Sequence, residues 1–201
     1  MNAGQRTVGD AAFSPNKVGP NWFIYALGGG LGHLTRSLAL ARRAARAGAT
    51  VRIISNSRFA KIIAERQCRQ LITLDPGIEL LPLATANDKA AVASAVDAAL
   101  RAAGTPDVFV VDTFPRGLAG ELAERLPSLR ALKVLVHRDL NPDYVRWAEL
   151  ETFVAHFDLL LVPGEDAPLA HLPHARRTPP WLVCDEAELL RRDDARTALG
   201  V

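Results

Sequence analysis

The segment "GGGLGHLTR" at residues 28–36 places a histidine directly behind a run of four glycines interrupted by one leucine. It follows the apolar run "NWFIYAL" and precedes a helical pattern, so the glycines fall between a predicted strand and a predicted helix. Glycine permits a tight turn and a close approach of a ligand to the backbone, and a helix N-terminus attracts anions. A histidine at this turn, His33, has the chemistry of a general base near neutral pH.

Two further polar groups follow apolar runs. Asp112 comes directly after "VFVV", and His137 comes directly after "LKVLV". If both runs are parallel strands, their carboxyl ends meet at the edge where open α/β sheets bind ligands. We therefore predict a site that combines the glycine loop with these loops. The predicted ligand-binding residues are Gly28, Gly29, Gly30, Gly32, Thr113, Arg116, His137 and Arg138.

The glycine loop fits other phosphate-binding motifs poorly. Gly28 and Gly30 match the start of a dinucleotide-binding GxGxxG motif, but His33 replaces the third glycine. The second predicted strand ends in Ser55 and Asn56, where that motif expects an acidic residue for the ribose. A Walker loop would need a Gly-Lys-Ser/Thr sequence, which does not follow. A glycine turn that serves packing alone stays open as an alternative.

Two other motifs do not support the chemistry that their letters suggest. The segment "HRDLNPDY" is similar to a kinase catalytic loop, but Tyr144 takes the place of its metal-binding Asn and no DFG motif is present. His171 and His174 of "HLPH" have a spacing found in metal ligands, but Pro173 lies between them and Cys or acidic partners are lacking. We therefore predict neither a kinase nor a metal site.

Hydrophobic patterning predicts the strands and helices that carry these residues. Short apolar runs alternate with longer amphipathic segments, which predicts an α/β fold, a Rossmann-like doubly wound parallel sheet. The predicted strands are 22–27, 50–55, 79–83, 108–111, 132–136 and 158–162, and the predicted helices after the first are 58–66, 88–103, 117–126 and 142–156.

The first helix is predicted from "HLTRSLALARRAARAG" at residues 33–48. Its apolar positions fall on one helical face, and its arginines point elsewhere, with Gly48 as the C-terminal stop. The apolar face consists of Leu34, Leu38, Ala41 and Ala45, and the arginines are Arg36, Arg42, Arg43 and Arg46.

Composition limits the class of protein. A chain of 201 residues with 49% hydrophobic content favours one core, and a net charge of +2 gives no basis for a nucleic-acid partner. Cys68 and Cys184 form neither a CxxC pair nor a disulfide framework, which indicates a reduced, cytoplasmic setting. Residues 1–20 lack the features of a signal peptide or a membrane span and are predicted to be a flexible tail.

At "GGGLGHLTRSLALAR" and "PDVFVVDTFPRGLAGELA" the sequence resembles the GT-B glycosyltransferases, in particular the group of the bacterial N-acetylglucosaminyltransferase that completes lipid II. The resemblance covers about residues 22–165. It implies the acceptor-binding N-terminal half of a two-domain enzyme that uses a nucleotide sugar, expected to be a UDP-sugar, and no further cofactor. In the related plant-type enzymes a histidine of this loop pairs with an Asp, which implies a dyad of His33 and Asp112. Alternatives stay open, since His33 could serve loop structure or phosphate contact and Asp112 could be a cap or turn residue.

The resemblance also implies a domain plan, with an acceptor domain over 21–175 and a linker over 176–201 that starts a missing donor-binding domain. The ending favours a fragment, although a separate donor-binding chain, as in split eukaryotic glycosyltransferases, is the other possibility. The 201-residue chain alone is expected to transfer no sugar. The acceptor is expected to be a small molecule or lipid-linked, and nothing in the sequence indicates contact with a membrane surface. A non-catalytic nucleotide- or phosphate-binding module, or part of a nucleotide-sugar epimerase, remains an alternative.

Overall fold

The computed structural model describes residues 19–65, 74–83, 89–164 and 167–200. Seven strands form one sheet in which every neighbouring pair is parallel. They are β1 (Asn21–Tyr25), β2 (Thr50–Ser55), β3 (Ile78–Pro82), β4 (Val108–Asp112), β5 (Leu132–Val136), β6 (Leu159–Pro163) and β7 (Ala175–Thr178). Their order, β3-β2-β1-β4-β5-β6-β7, confirms the predicted Rossmann-like doubly wound fold.

Helices cover both faces of this sheet. Residues Phe23 and Tyr25 of β1 face one core, and Ile24 faces the other, as the alternation of a strand requires. The helices are α1 (Leu31–Arg46), α2 (Arg58–Ala64), α3 (Lys89–Ala103), α4 (Arg125–Ser128), α5 (Pro142–Trp147), α6 (Leu150–Phe153) and α7 (Arg192–Leu199). Helices α1 and α2 pack on the face of Ile24, and α3 to α6 pack on the face of Tyr25.

The six predicted strands all exist, with ends that differ by two residues at most. The sequence analysis missed β7, whose residues "ARRT" form no apolar run. β7 pairs only with β6 and lies at the edge of the sheet, with both of its arginines exposed. An edge strand can be polar because it is not covered on both faces. The predicted linker from residue 176 therefore contributes a strand to the sheet.

The helix predicted over residues 117–126 is wrong for most of its length, because turns occupy the segment up to α4. Gly117 and Gly120 have φ values of 84° and 93°, which a helix does not allow. The buried hydroxyl of Tyr25 donates to the carboxylate of Glu121 and accepts the N–H of Leu118 at 2.9 Å. Burial raises the pKa of Tyr25, which keeps its hydroxyl protonated as the donor. These contacts hold the turns in place of a helix.

The helix predicted over residues 142–156 is also interrupted. Glu149 has a φ of 44° and separates α5 from α6. Arg116 Nε donates to the carbonyl of Ala148 at 2.5 Å, and its Nη2 donates to Glu149 Oε2 at 3.0 Å. The guanidinium also lies 4.4 Å from the ring centroid of Phe153. Arg116 thus stabilises this break between the two helices.

Helix α1 buries Leu34, Leu38 and Ala41 as predicted. Arg42 was expected to point away from the core, but it is buried, because the chain after β7 passes over it. Arg42 donates to the carbonyl of Val183 and to the carboxylate of Glu188. We call the segment 183–188 the clasp, since it holds the chain after β7 against α1.

Some sequence predictions fall on other parts of the chain. Nearly all of the predicted tail over residues 1–20, and Cys68, lie outside the described residues. Among the helices that are described, none has the length and apolar character needed to cross a membrane.

Candidate functional site

The candidate site lies where the strand order of the sheet reverses. β1 lies between β2 and β4, so the chain leaves β1 towards one edge of the sheet and leaves β4 towards the other. The two connections diverge and leave a crevice at the carboxyl ends of these strands, which is where doubly wound sheets bind ligands. The glycine loop follows β1, and Asp112 is the last residue of β4. Both therefore lie at this crevice.

His33 and Asp112 form a hydrogen-bonded pair across the crevice. His33 Nδ1 lies 2.5 Å from Asp112 Oδ2. The carboxylate is 1% exposed, and the imidazole is 19% exposed. A carboxylate partner places the ring proton on Nδ1 and leaves the lone pair of the neutral ring on Nε2. Within the described part of the chain, Nε2 has no hydrogen-bond partner.

Arg36 completes a network around the carboxylate. Its Nε donates to Asp112 Oδ1 at 2.8 Å, and its Nη2 donates to Oδ2 at 2.9 Å. The same Nη2 donates to the hydroxyl of Thr113 at 3.1 Å, and that hydroxyl lies 3.2 Å from Asp112 Oδ2. Both oxygens of the buried carboxylate are thus engaged by a planar, bidentate donor.

The backbone next to Asp112 is strained. Thr113 has a φ of 71°, a conformation that β-branched residues rarely adopt and that costs about 1–3 kcal/mol. Its N–H donates to the carbonyl of Val136 on β5 at 2.9 Å. In this conformation the hydroxyl of Thr113 contacts both Arg36 and Asp112. Strain of this kind is concentrated at functional sites.

The first two glycines serve the geometry of the site. Gly28 has a φ of 155°, and a Cβ at this position would lie 2.4 Å from His33 Nε2. The ring can occupy its position only because residue 28 has no side chain. The N–H groups of Gly28 and Gly29 both donate to Asn56 Oδ1, at 2.9 and 2.8 Å. Asn56 thereby holds the loop beneath the ring.

The later glycines leave space at the start of α1. A Cβ on Gly30 would come no nearer than 3.8 Å to a neighbouring atom, and one on Gly32 would meet nothing within 4 Å. Gly30 caps α1 without any side-chain hydrogen bond. A cleft of about 210 Å³ opens here. Its lining residues are Gly32, Thr35, Arg36, Arg138, Pro163, Gly164, Pro180 and Trp181.

An aromatic row extends from His33. The ring of Phe114 stacks on the imidazole with centroids 5.6 Å apart and an interplanar angle of 28°. The ring centroids of Tyr144 and Phe114 are 5.2 Å apart, and those of Trp147 and Tyr144 are 5.5 Å apart. Trp147 is 56% exposed. Stacking on Phe114 restrains the orientation of the imidazole in addition to its bond to Asp112.

Two of the predicted ligand-binding residues are engaged elsewhere. Arg116 bonds to the junction of α5 and α6, as described above. His137 is fully buried, and its Nε2 donates to the carbonyl of Pro168. Burial lowers the pKa of His137 and favours the neutral ring. Contact of His137 with a ligand stays a prediction. Two other predicted residues, Gly32 and Arg138, line the cleft at the start of α1.

Sequence reasoning missed Arg36 and Asn56 as site residues. Arg36 is three residues after His33 and therefore on the same side of a helix, which is a signal that was available. Asn56 stands where a dinucleotide-binding motif expects an acidic residue, and its contact with the glycine loop was not predicted. Its role depends on β1 and β2 being neighbours, which brings it beneath the glycine loop.

The described residues hold no cluster of three or more His, Cys, Asp or Glu side chains that could bind a metal ion. A larger cavity of about 460 Å³ lies between α1 and the clasp, lined by Arg42, Arg43 and Cys184 among others. We place the functional site at the dyad instead, because the chemically competent groups and the strained backbone lie there.

Comparison with known proteins gives a distant likeness among solved structures. No protein-family model matches the chain, and no curated protein matches it. Among solved structures, the crystal structure of TcCGT1 in complex with UDP matches at a TM-score of 0.42 and 18% sequence identity, over 77% of this chain and 34% of that one. The chain thus spans about a third of the length of this structure. A likeness of this degree carries no conclusion about activity.

Proposed function

We propose that this chain is the acceptor-binding half of a glycosyltransferase, which transfers a sugar from a nucleotide sugar to an acceptor hydroxyl. The observation that carries the proposal is the bond between His33 Nδ1 and the buried Asp112, with Nε2 left unpaired at the crevice of the sheet. N-acetylglucosamine and UDP are the first sugar and nucleotide to test. They come from the sequence resemblance alone.

The contacts of His33 among the described residues fit transfer to a hydroxyl of the substrate. Catalytic dyads of this kind often activate a Ser or Cys that is bonded to the second ring nitrogen. In the chain as described, no side chain of this kind is bonded to His33 Nε2. The proton that Nε2 accepts would therefore come from a bound molecule, and an acceptor hydroxyl is the simplest source.

The proposed chemistry has a balanced proton path. Nε2 takes the proton of the acceptor hydroxyl while the oxygen forms a bond to the anomeric carbon of the sugar. The bond from that carbon to the diphosphate breaks, and the nucleoside diphosphate leaves with the electron pair. The buried carboxylate of Asp112 stabilises the imidazolium that forms. No covalent intermediate on the protein is needed.

The cleft at the start of α1 has features suited to the leaving diphosphate. Gly30 leaves the N–H groups of the first turn without a side-chain acceptor, and Arg138 lines the same cleft. A helix N-terminus and an arginine both favour phosphate oxygens. We propose that a second, donor-binding unit, either a further domain or a separate chain, faces this cleft and supplies most of the nucleotide contacts.

The test is transfer from UDP-sugars by this chain joined to or mixed with such a donor-binding unit. We expect release of UDP that depends on an acceptor, and none with the 201-residue chain by itself. Replacement of the base by His33→Ala should lower the rate by about 10²-fold or more. Asp112→Asn should produce a smaller loss, because it removes the charge that stabilises the imidazolium.

A matched control is His171→Ala, since His171 is an exposed histidine at a different part of the chain. Its rate should equal that of the wild type. Full activity in His33→Ala would remove the base assignment. UDP release that needs no acceptor would instead favour an epimerase, and binding of a nucleotide without any turnover would favour a non-catalytic module.

A further inference from the structure

Arg36 and His33 reach the same carboxylate from one turn of α1. His33 bonds to Oδ2 of Asp112, and Arg36 bonds to both oxygens of that carboxylate. The guanidinium is 14% exposed and the carboxylate 1% exposed, so water screens this ion pair weakly. An isolated dyad would lack this arrangement, because there the histidine alone would face the acid.

The role of Arg36 follows from the charges of the Arg36, Asp112 and His33 side chains. A buried carboxylate is stable as an anion only when a cation or several hydrogen-bond donors compensate it. Arg36 is always protonated and supplies one full positive charge in bidentate geometry. Because Arg36 already compensates its charge, the Asp112 carboxylate does not need a protonated His33 as a second cation. Without Arg36, the imidazole would be the only cation in contact with Asp112 among the described residues.

We propose that Arg36 is a positioning residue that keeps His33 in the neutral form with its proton on Nδ1, so that Nε2 is ready to accept a proton. Arg36 does this by neutralising Asp112 and fixing the orientation of its carboxylate. The hydroxyl of Thr113 reinforces that orientation, since it contacts both Arg36 and Asp112. The site is thus a three-residue unit of Arg36, Asp112 and His33.

The catalytic role of Arg36 rests on the proposed function, but its effect on His33 can be measured without turnover. ¹⁵N nuclear magnetic resonance of the ring nitrogens distinguishes imidazolium from each neutral tautomer. The spectrum of the wild-type chain at neutral pH should show His33 neutral, with the proton on Nδ1. Arg36→Met keeps the length of the side chain and removes its charge, and here His33 should become the imidazolium.

A second substitution separates charge from structure. Adding Asp112→Asn to Arg36→Met removes the anion as well, so His33 should return to the neutral form. Arg36→Lys keeps the charge and should keep His33 neutral. Arg43→Met is the control, since Arg43 is exposed about two turns further along α1 and should leave the His33 signals unchanged.

A neutral, Nδ1-protonated His33 in Arg36→Met would overturn the inference, and so would an imidazolium that persists in the double variant. Amide spectra check that each variant is folded, and Arg36→Gln replaces Arg36→Met if that variant is not. In the active complex, Arg36→Met should lower kcat about 10²-fold with little change in KM, because an imidazolium cannot act as a base. If no transfer activity exists, the ¹⁵N result still stands or fails by itself.

Discussion

At the scale of single residues, Gly28 has a hydrogen where every other amino acid has a Cβ, and the ring of His33 occupies the adjacent space. The Cβ of an alanine would lie 2.4 Å from Nε2, well inside contact distance. The φ of 155° is also unfavourable for an L-residue. The position of the base therefore depends on a residue that takes no part in the chemistry.

We predict that Gly28→Ala displaces the imidazole and breaks its bond to Asp112. Stability should fall by about 1–3 kcal/mol, the cost of a residue in a strained backbone conformation. Chemical denaturation measures the stability, and the ¹⁵N signals of His33 report the loss of the bond. Gly32→Ala is the control, because a Cβ there meets nothing within 4 Å and the position is helical. Equal effects of the two substitutions would contradict the role of Gly28.

At the scale of elements, the clasp attaches the chain after β7 to α1 through ion pairs. Arg42 is 7% exposed in its side chain and bonds to Glu188 and to Asp75, the latter at 3.3 Å. Arg46, one turn later, pairs with Asp75 at 2.8 Å and with Asp185. The hydrogen bond from Arg42 lowers the pKa of Glu188 to about 2. We therefore expect the clasp to weaken in acid.

The sign of this dependence follows from the lowered pKa. Glu188 is ionised more readily in the folded chain than at its ordinary value of 4.5, so its contribution to stability is complete above that pH. The contribution is lost as the pH falls from 4.5 through about 2. We predict that wild type exceeds Glu188→Gln in stability by a constant amount above pH 4.5 and that the difference vanishes towards pH 2.

Denaturation of both proteins across this pH range measures the difference. Glu186→Gln is the matched control, since Glu186 lies in the same segment and forms no ion pair with another described residue. Its stability should follow that of the wild type at every pH. A difference between wild type and Glu188→Gln that is unchanged in acid would show that the ion pair with Arg42 does not hold the clasp.

At the scale of the whole molecule, one sheet connects everything that the structure describes. The two cores lie on opposite faces of the same sheet, and the clasp joins the last strand to the first helix. Loss of the sheet exposes both cores at once, so we predict a single cooperative unfolding transition. Thermal melts followed by far-ultraviolet circular dichroism and by tryptophan fluorescence should coincide. Two separate transitions, or a broad melt without cooperativity, would contradict this prediction.

Hydrophobic patterning alone predicted six of the seven strands and the edge of the sheet at which the candidate site lies. A central parallel strand is buried on both faces, so it must be a continuous apolar run, and such runs are visible without a structure. The polar residue that ends a run then lies at the carboxyl edge of the sheet, which is how Asp112 and the glycine loop were assigned to one edge. The resemblance added the pairing of His33 with Asp112, and the structure shows that bond at 2.5 Å.

Which side chains meet at this edge depends on contacts between distant parts of the chain. Arg36 and Asp112 are 76 residues apart, and the contact exists because β1 and β4 are neighbours at the reversal of the strand order. The periodicity of α1 placed Arg36 and Arg42 away from its apolar face, since it records hydrophobicity and not the partners that distant segments bring. For the same reason the partners of Arg116 and His137, which come after β4 and β5, were not predictable from the sequence. Arg116 bonds to a helix junction, and His137 bonds to the carbonyl of Pro168. Position along a strand is a local property, whereas the partner of a polar side chain depends on how the whole chain packs.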